Sequence, residues 1–279
     1  QERRLVLDQE SLRRDADDLE RFRVLLGRRQ PRVTIALLGS IAVVFALQAG
    51  WGDTDLPPLL AHMGSLLGDP ARRGEWWRYF SCTFLHAGVL HVGLNALVLY
   101  MLGRSLERFI GSTRFMLIYF AAGLGGSISS SLFVSSQSVG ASGAIWGLLG
   151  AEAALAFYPR PLLPPALIGL SRRAAATNLG INLAISFNPH IDAAAHVGGG
   201  LVGAAVLVAL ALSGRLSSHG RAAPPVGWAL RGLAGALAGA FAVGVVVAII
   251  QGRPWELAAP PTLERVSLPG SPWRAEVPR

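Results

Sequence analysis

Ser142 stands among small residues in Gly140-Ala141-Ser142-Gly143-Ala144-Ile145-Trp146-Gly147, inside a stretch with no charged side chain from Phe115 to Ala151. A hydroxyl in such surroundings suits a nucleophile that works within a membrane. A second segment rich in small residues, Ala193-Ala194-Ala195-His196-Val197-Gly198-Gly199-Gly200, carries His196. A serine and a histidine on two close-packed helices are the minimum parts for acyl transfer: a neutral imidazole takes the hydroxyl proton and later returns it to the leaving amine. No acidic residue is placed to orient that ring, so the pattern fits a dyad better than a triad. His91 and Asn95 lie one helical turn apart, on one face, and both can donate hydrogen bonds toward the same oxygen. If a helix begins near Ser142, its first N–H groups add to that oxyanion site. Taken singly, a serine in a membrane helix usually bonds its own backbone and a histidine packs in the bundle; it is their convergence that points to chemistry.

The elements that must position these groups follow from composition. Hydrophobic residues make up 52% of the 279 and charged residues 15%, and the mean hydropathy is +0.44. These values indicate an all-α polytopic membrane protein embedded in a lipid bilayer. Apolar windows run from Val33 to Gly50, His91 to Leu106, Phe115 to Phe133, Ala141 to Phe157, Ala174 to Phe187, Ala193 to Leu212 and Gly227 to Ile250. The fifth is the weakest, being short, holding Asn178 and Asn182 and starting beside Arg172 and Arg173, whose side chains can snorkel to the interface. The net charge of +8 comes from arginine alone. Arg28, Arg29, Arg32, Arg104, Arg108, Arg114, Arg160, Arg172, Arg173, Arg215 and Arg221 all fall on one side if the spans alternate, and that side is expected to be the cytoplasm, with the amino terminus on it. The second, fourth and sixth spans then start at the outer side, which brings His91, Asn95, Ser142 and His196 to one depth just below the outer surface. Polar groups at that depth read as functional unless they pair.

The remaining features bound the reading. Residues 1–32 are charged throughout without the apolar core of a signal peptide, and their leucines recur at helical spacing, so a cytosolic amphipathic segment is expected there. The chain starts on Gln rather than Met, which suggests a trimmed start or an upstream region. Residues 213–250 read as a cytosolic loop and a seventh span, and the proline-rich residues 251–279 as an irregular tail on the outer side. Cys82 stands alone, so no intrachain disulfide forms. There is no HExxH for a zinc protease and no span with the aspartates of an aspartyl protease; neither a metal nor another cofactor is expected. The arginines are spread as topology signals rather than gathered in a patch, which disfavours nucleic acid as a partner. A transporter would be expected to show inverted repeats or broken helices, and no repeat is evident.

At this point the chain resembles the rhomboid family of intramembrane serine proteases over roughly Pro57 to Leu212. The resemblance rests on Glu75-Trp76-Trp77-Arg78 followed by Phe84-Leu85-His86-Ala87-Gly88 and His91-xxx-Asn95, on Gly140-Ala141-Ser142-Gly143, and on His196-Val197-Gly198-Gly199. Gly103-xxx-Glu107-xxx-Gly111 looks like the family's pattern as well. The resemblance implies a six-helix core over residues 33–212 with a seventh helix appended, a Ser142 nucleophile, a His196 base, and an oxyanion hole of His91, Asn95 and the Ser142 amide. It implies that His86 is structural. Independently of the resemblance, Gly140, Gly143 and Gly147, with Gly199 and Gly203 on the sixth span, permit the backbones to approach closely and so support the site. The fifth helix is implied to be a lateral gate, and the substrates to be single-span transmembrane proteins cut near the outer face. Where the family often has tyrosine packed on the imidazole, this chain has Trp146, which offers a comparable aromatic face.

Overall fold

Apolar runs bounded by glycine and proline dictate a bundle of long helices. The computed structural model describes residues 2–70, 73–134, 136–158, 162–188, 191–216, 224–252, 263–267 and 274–278. Its helices are α1 (Glu2–Arg28), α2 (Arg32–Trp51), α3 (Pro57–His62), α4 (Arg78–Ser81), α5 (Gly88–Ile110), α6 (Ser112–Phe133), α7 (Ser142–Phe157), α8 (Pro165–Ser186), α9 (Ala193–Leu212) and α10 (Trp228–Gly252). Five of them, α2, α5, α6, α9 and α10, are long and apolar enough to cross a membrane. The chain is an integral membrane protein. In α6 the apolar window is 56% buried, against 22–33% in the other four, so α6 is the central post around which the rest stand.

Small residues let the post be approached closely. Gly126 on α6 lies against the Ala195 carbonyl of α9 and the Cα of Gly143 on α7. At the glycines of α9 that face α7 there is no room for a side chain: a Cβ on Gly199 would sit 2.0 Å from the Gly143 oxygen, and one on Gly203 2.0 Å from the Gly147 oxygen. Backbone contact of this kind is how membrane helices gain packing where lipid is as apolar as leucine. α10 is packed in rather than merely appended. Its Phe241 is buried against Phe120 of α6 and Phe80 of α4, with ring centroids 4.8 and 5.1 Å apart. Side chains such as Val43, Leu97, Leu201 and Val246 remain exposed, as lipid-facing positions must.

The segment between α2 and α5 holds α3, α4, a 3-10 turn at Cys82–Phe84 and the short strand β1 (Leu66–Leu67), which pairs antiparallel with β2 (Gln137–Ser138) just before α7. At the opposite end of α5 the carboxylate of Glu107 is buried. It accepts from Val33 N (2.9 Å), Thr34 N (2.8 Å), Thr34 Oγ1 (2.7 Å) and Ser112 Oγ (2.6 Å), so it caps the first turn of α2. α1 docks there through Phe22, which packs on Phe109 at 5.6 Å.

Two expectations change. The fifth window, read as a span over 174–187, lies in a helix that begins at Pro165, because Pro164-Pro165 starts it well before the apolar residues do; α8 is not among the five helices apolar enough to cross a membrane, and Arg172 lies inside it, with Nε donating to the Ala156 carbonyl at 3.2 Å. In the tail read as irregular, β3 (Leu263–Ser267) pairs antiparallel with β4 (Arg274–Pro278), with Arg265 opposite Glu276. Prolines 269 and 272 fall in the connection, and only Pro278, at a strand end, lies within the ladder.

Candidate active site

The serine-bearing end of α7 is fixed before the helix starts. After the β1–β2 pair, the Gly140 N–H donates to the Cys82 carbonyl at 2.9 Å. Gly140 has φ +120°, a conformation that a side chain would strain. The next N–H, of Ala141, donates to His86 Nε2 at 3.4 Å. His86 is itself held from both sides: Gln48 Oε1 accepts from its N–H at 3.1 Å, and Gln48 Nε2 donates to its carbonyl at 3.0 Å. Burial, with His91 alongside, pushes the His86 imidazole down to about 3, so the ring is neutral. Its Nδ1–H then donates to the Phe84 carbonyl at 3.2 Å, and Nε2 is left as the acceptor that Ala141 needs. His86 is a brace, not a proton carrier.

Ser142 is the first residue of α7 and is half-buried. A helix start leaves N–H groups without intrahelical acceptors, and here the first to bond back outside the helix is that of Ile145, to the Ala141 carbonyl at 3.0 Å. On one side of this start, a Cβ on Gly140 would lie 2.8 Å from His91 Nε2 and 3.9 Å from Asn95 Nδ2. Asn95 Nδ2 also donates to the His91 carbonyl, at 3.0 Å, which uses one of its two protons. On the other side, the ring of Trp146 stacks on the buried ring of His196, with centroids 5.2 Å apart and planes 19° apart. Gly143 touches α9 at Ala195 and Gly199, one residue before and three after His196. The structure thus gathers Gly140, His91 and Asn95 on one flank of Ser142, and Gly143, Trp146 and His196 on the other.

Two partners of this site are absent from the reading of the sequence. Asp192 caps α9, its Oδ1 accepting from the Ala195 N–H at 2.9 Å, and its other oxygen takes a bond from Ser130 Oγ. Asp192 thus orients the helix that bears His196. An acidic residue just ahead of an apolar run is a helix-start signal, so this one could have been found. Ser186, at the end of α8, has its Oγ 2.6 Å from His196 Nδ1. Nothing in the sequence marks it, since the contact depends on how α8 is rotated against α9.

Residues 73–213 match the Rhomboid domain. The chain belongs to the rhomboid family. Over 172 residues it is 38% identical to the rhomboid protease GluP of Bacillus subtilis, a stretch covering 62% of this chain and 33% of that protein. It is 43% identical over 146 residues to RHOMBOID-like protein 1 of Arabidopsis thaliana, covering 50% of this chain and 36% of the plant protein. The putative rhomboid protease YdcA of B. subtilis is 33% identical over 139 residues, covering 46% and 68%. This chain thus spans about a third of the length of GluP and of the plant protein. The rhomboid domain contains His86, His91, Asn95, Ser142, Trp146, Ser186, Asp192 and His196, whereas α1, α2 and α10 lie outside its limits.

Proposed function

We propose that this rhomboid is an intramembrane serine protease that cuts single-span transmembrane proteins near the outer face of the bilayer. Ser142 Oγ attacks the substrate carbonyl while His196 Nε2 removes its proton. The imidazolium then gives that proton to the leaving amine, and water hydrolyses the acyl-enzyme. The developing oxyanion is met by the free N–H groups at the start of α7 together with His91 and Asn95. The placement of arginines favours an amino terminus in the cytoplasm and a site toward the outside. The names of GluP, a rhomboid protease, and of YdcA, a putative rhomboid protease, favour the same activity.

The observation that carries the reading is the stacking of His196 on Trp146, one turn from Ser142, between helices whose backbones touch at Gly143 and Gly199. The test is cleavage of a single-span substrate in proteoliposomes. Ser142→Ala and His196→Ala should each abolish it while the protein still melts cooperatively in detergent. A serine-directed fluorophosphonate should label the wild type at Ser142. Undiminished cleavage by either variant, or an adduct at another residue, overturns the assignment.

A further inference from the structure

We propose that Ser186 is a positioning residue that selects the tautomer of His196, so that the end of α8 supplies the third member of the relay; this rests on the Ser142–His196 reading above. The argument is one of proton counting. Ser186 Oγ lies 2.6 Å from His196 Nδ1 and 2.8 Å from the Asn182 carbonyl, and both side chains are buried. A hydroxyl has a single proton, and a carbonyl oxygen can only accept. Both contacts are hydrogen bonds only if the hydroxyl proton goes to Asn182 and the Oγ lone pair receives Nδ1–H. In the other tautomer Nδ1 needs the same proton, and one bond is lost. Satisfying both therefore places the ring proton on Nδ1 and leaves Nε2 with its lone pair, the form a general base requires. The carboxylate of Asp192 bonds Ala195 N and Ser130 Oγ, while it is Ser186 Oγ that meets His196 Nδ1.

The carrier of the serine matters as much as its chemistry. Of the residues of α8, only Ala175 and Ser186 are buried. Earlier along the helix α8 is tied to α7 by Arg172 on the Ala156 carbonyl and by Asn178 Nδ2, which donates to Glu152 Oε2 at 3.2 Å. At the end beside the site, Ser186 is the buried contact. Outward movement of that end would remove the acceptor for Nδ1–H, so the readiness of the imidazole is coupled to the seating of α8.

Cleavage of a single-span substrate in proteoliposomes by wild type, Ser186→Ala and Ser186→Thr gives the first arm. Ser186→Ala should lower kcat roughly three- to tenfold, the value of one neutral hydrogen bond, with KM unchanged, and Ser186→Thr should retain wild-type kcat. In the second arm, 15N spectra of histidine-labelled protein, with the His196 signal assigned by its loss in His196→Gln, should show protonated Nδ1 in wild type and a mixture of tautomers in Ser186→Ala. A wild-type ring protonated at Nε2 overturns the inference. So does a Ser186→Ala enzyme that changes in KM alone, or not at all, because the serine would then merely clasp α8. If the wild type cleaves nothing and Ser142 takes no phosphonate, it is the protease reading that fails, and the tautomer measurement still decides Ser186.

Discussion

The two ends of α5 hold buried polar groups that are engaged in different ways. At the end near α1, Glu107 receives bonds from Val33 N, Thr34 N, Thr34 Oγ1 and Ser112 Oγ. Arg29 Nη1 donates to the last carbonyls of the helix, those of Arg108 (3.2 Å) and Phe109 (2.7 Å). At the other end, His91 and Asn95 face the start of α7, where N–H groups stand free of intrahelical acceptors. A buried carboxylate whose acceptors are filled fastens helices together, although Arg108 Nε at the same end has no partner among the described residues; donors turned toward free N–H groups can instead receive a developing negative charge. The difference separates a latch from a site although both rest on one helix, and it predicts that substitutions at the two ends change different observables.

The largest effect should come from the seam that joins α7 to α9, on which the site depends. Gly199→Ala places a Cβ where the Gly143 carbonyl already is. The backbones must part, at a cost on the order of 3 kcal/mol, and cleavage should be lost with the fold's stability. Gly93→Ala on α5, where an added Cβ meets nothing within 4 Å, is the matched control and should leave both unchanged or slightly raise the melting temperature. Equal behaviour of the two variants would mean that the seam is looser than its glycines indicate.

The next pair sets the two ends of α5 against each other directly. Glu107→Gln puts an amide among donors, orphaning N–H groups at the start of α2; it should destabilise by about 3 kcal/mol while each folded molecule keeps its kcat. Asn95→Ala should do the reverse, slowing turnover on the order of 100-fold through loss of one oxyanion donor, with little change in melting. His91, beside the same glycine, can shrink that loss. If Asn95→Ala instead lowers melting as much as Glu107→Gln, the asparagine is an interhelical tie and the comparison collapses.

How much of this was legible in the sequence follows from what each feature depends on. Apolar windows located α2, α5, α6, α7, α9 and α10 within a few residues, because lipid imposes the pattern directly. The glycines of the α7–α9 seam were readable because close approach requires residues without side chains. Trp146 was placed on the imidazole by resemblance, and the rings do stack. Less visible were α3, α4 and the β1–β2 pair, short elements whose backbone needs are met by tertiary partners such as Arg78 on the Ala61 and Ser65 carbonyls. The β3–β4 ladder was hidden by the prolines around it. Ser186 was out of reach: α8 has several polar residues, and only the rotation of the helix decides which one meets His196.

The smallest effect should come from a carboxylate that shares the chemistry of Glu107 but not its burial. Glu75, in the loop before α4, takes a bond from Arg73 Nε at 2.7 Å and one from Arg78 Nη2 at 3.3 Å. Partial burial pushes its carboxyl up, but the hydrogen bonds and charges of the two arginines more than offset this, and it rests below the ordinary value. A carboxylate held lower in the folded state contributes stability above its unfolded pKa and loses it as pH falls through the folded one. The contribution should therefore be present at neutral pH and fade in acid below about 4.5, where the unfolded chain takes up its proton first. Since water and salt screen an exposed pair, it should amount to no more than about 1 kcal/mol. Melting of Glu75→Gln against wild type at pH 7 and again near pH 3 measures this as a small gap that closes in acid. A gap as large as that of Glu107→Gln, or one that persists in acid, would show that Glu75 acts by bracing Arg78 against α3 rather than through its charge.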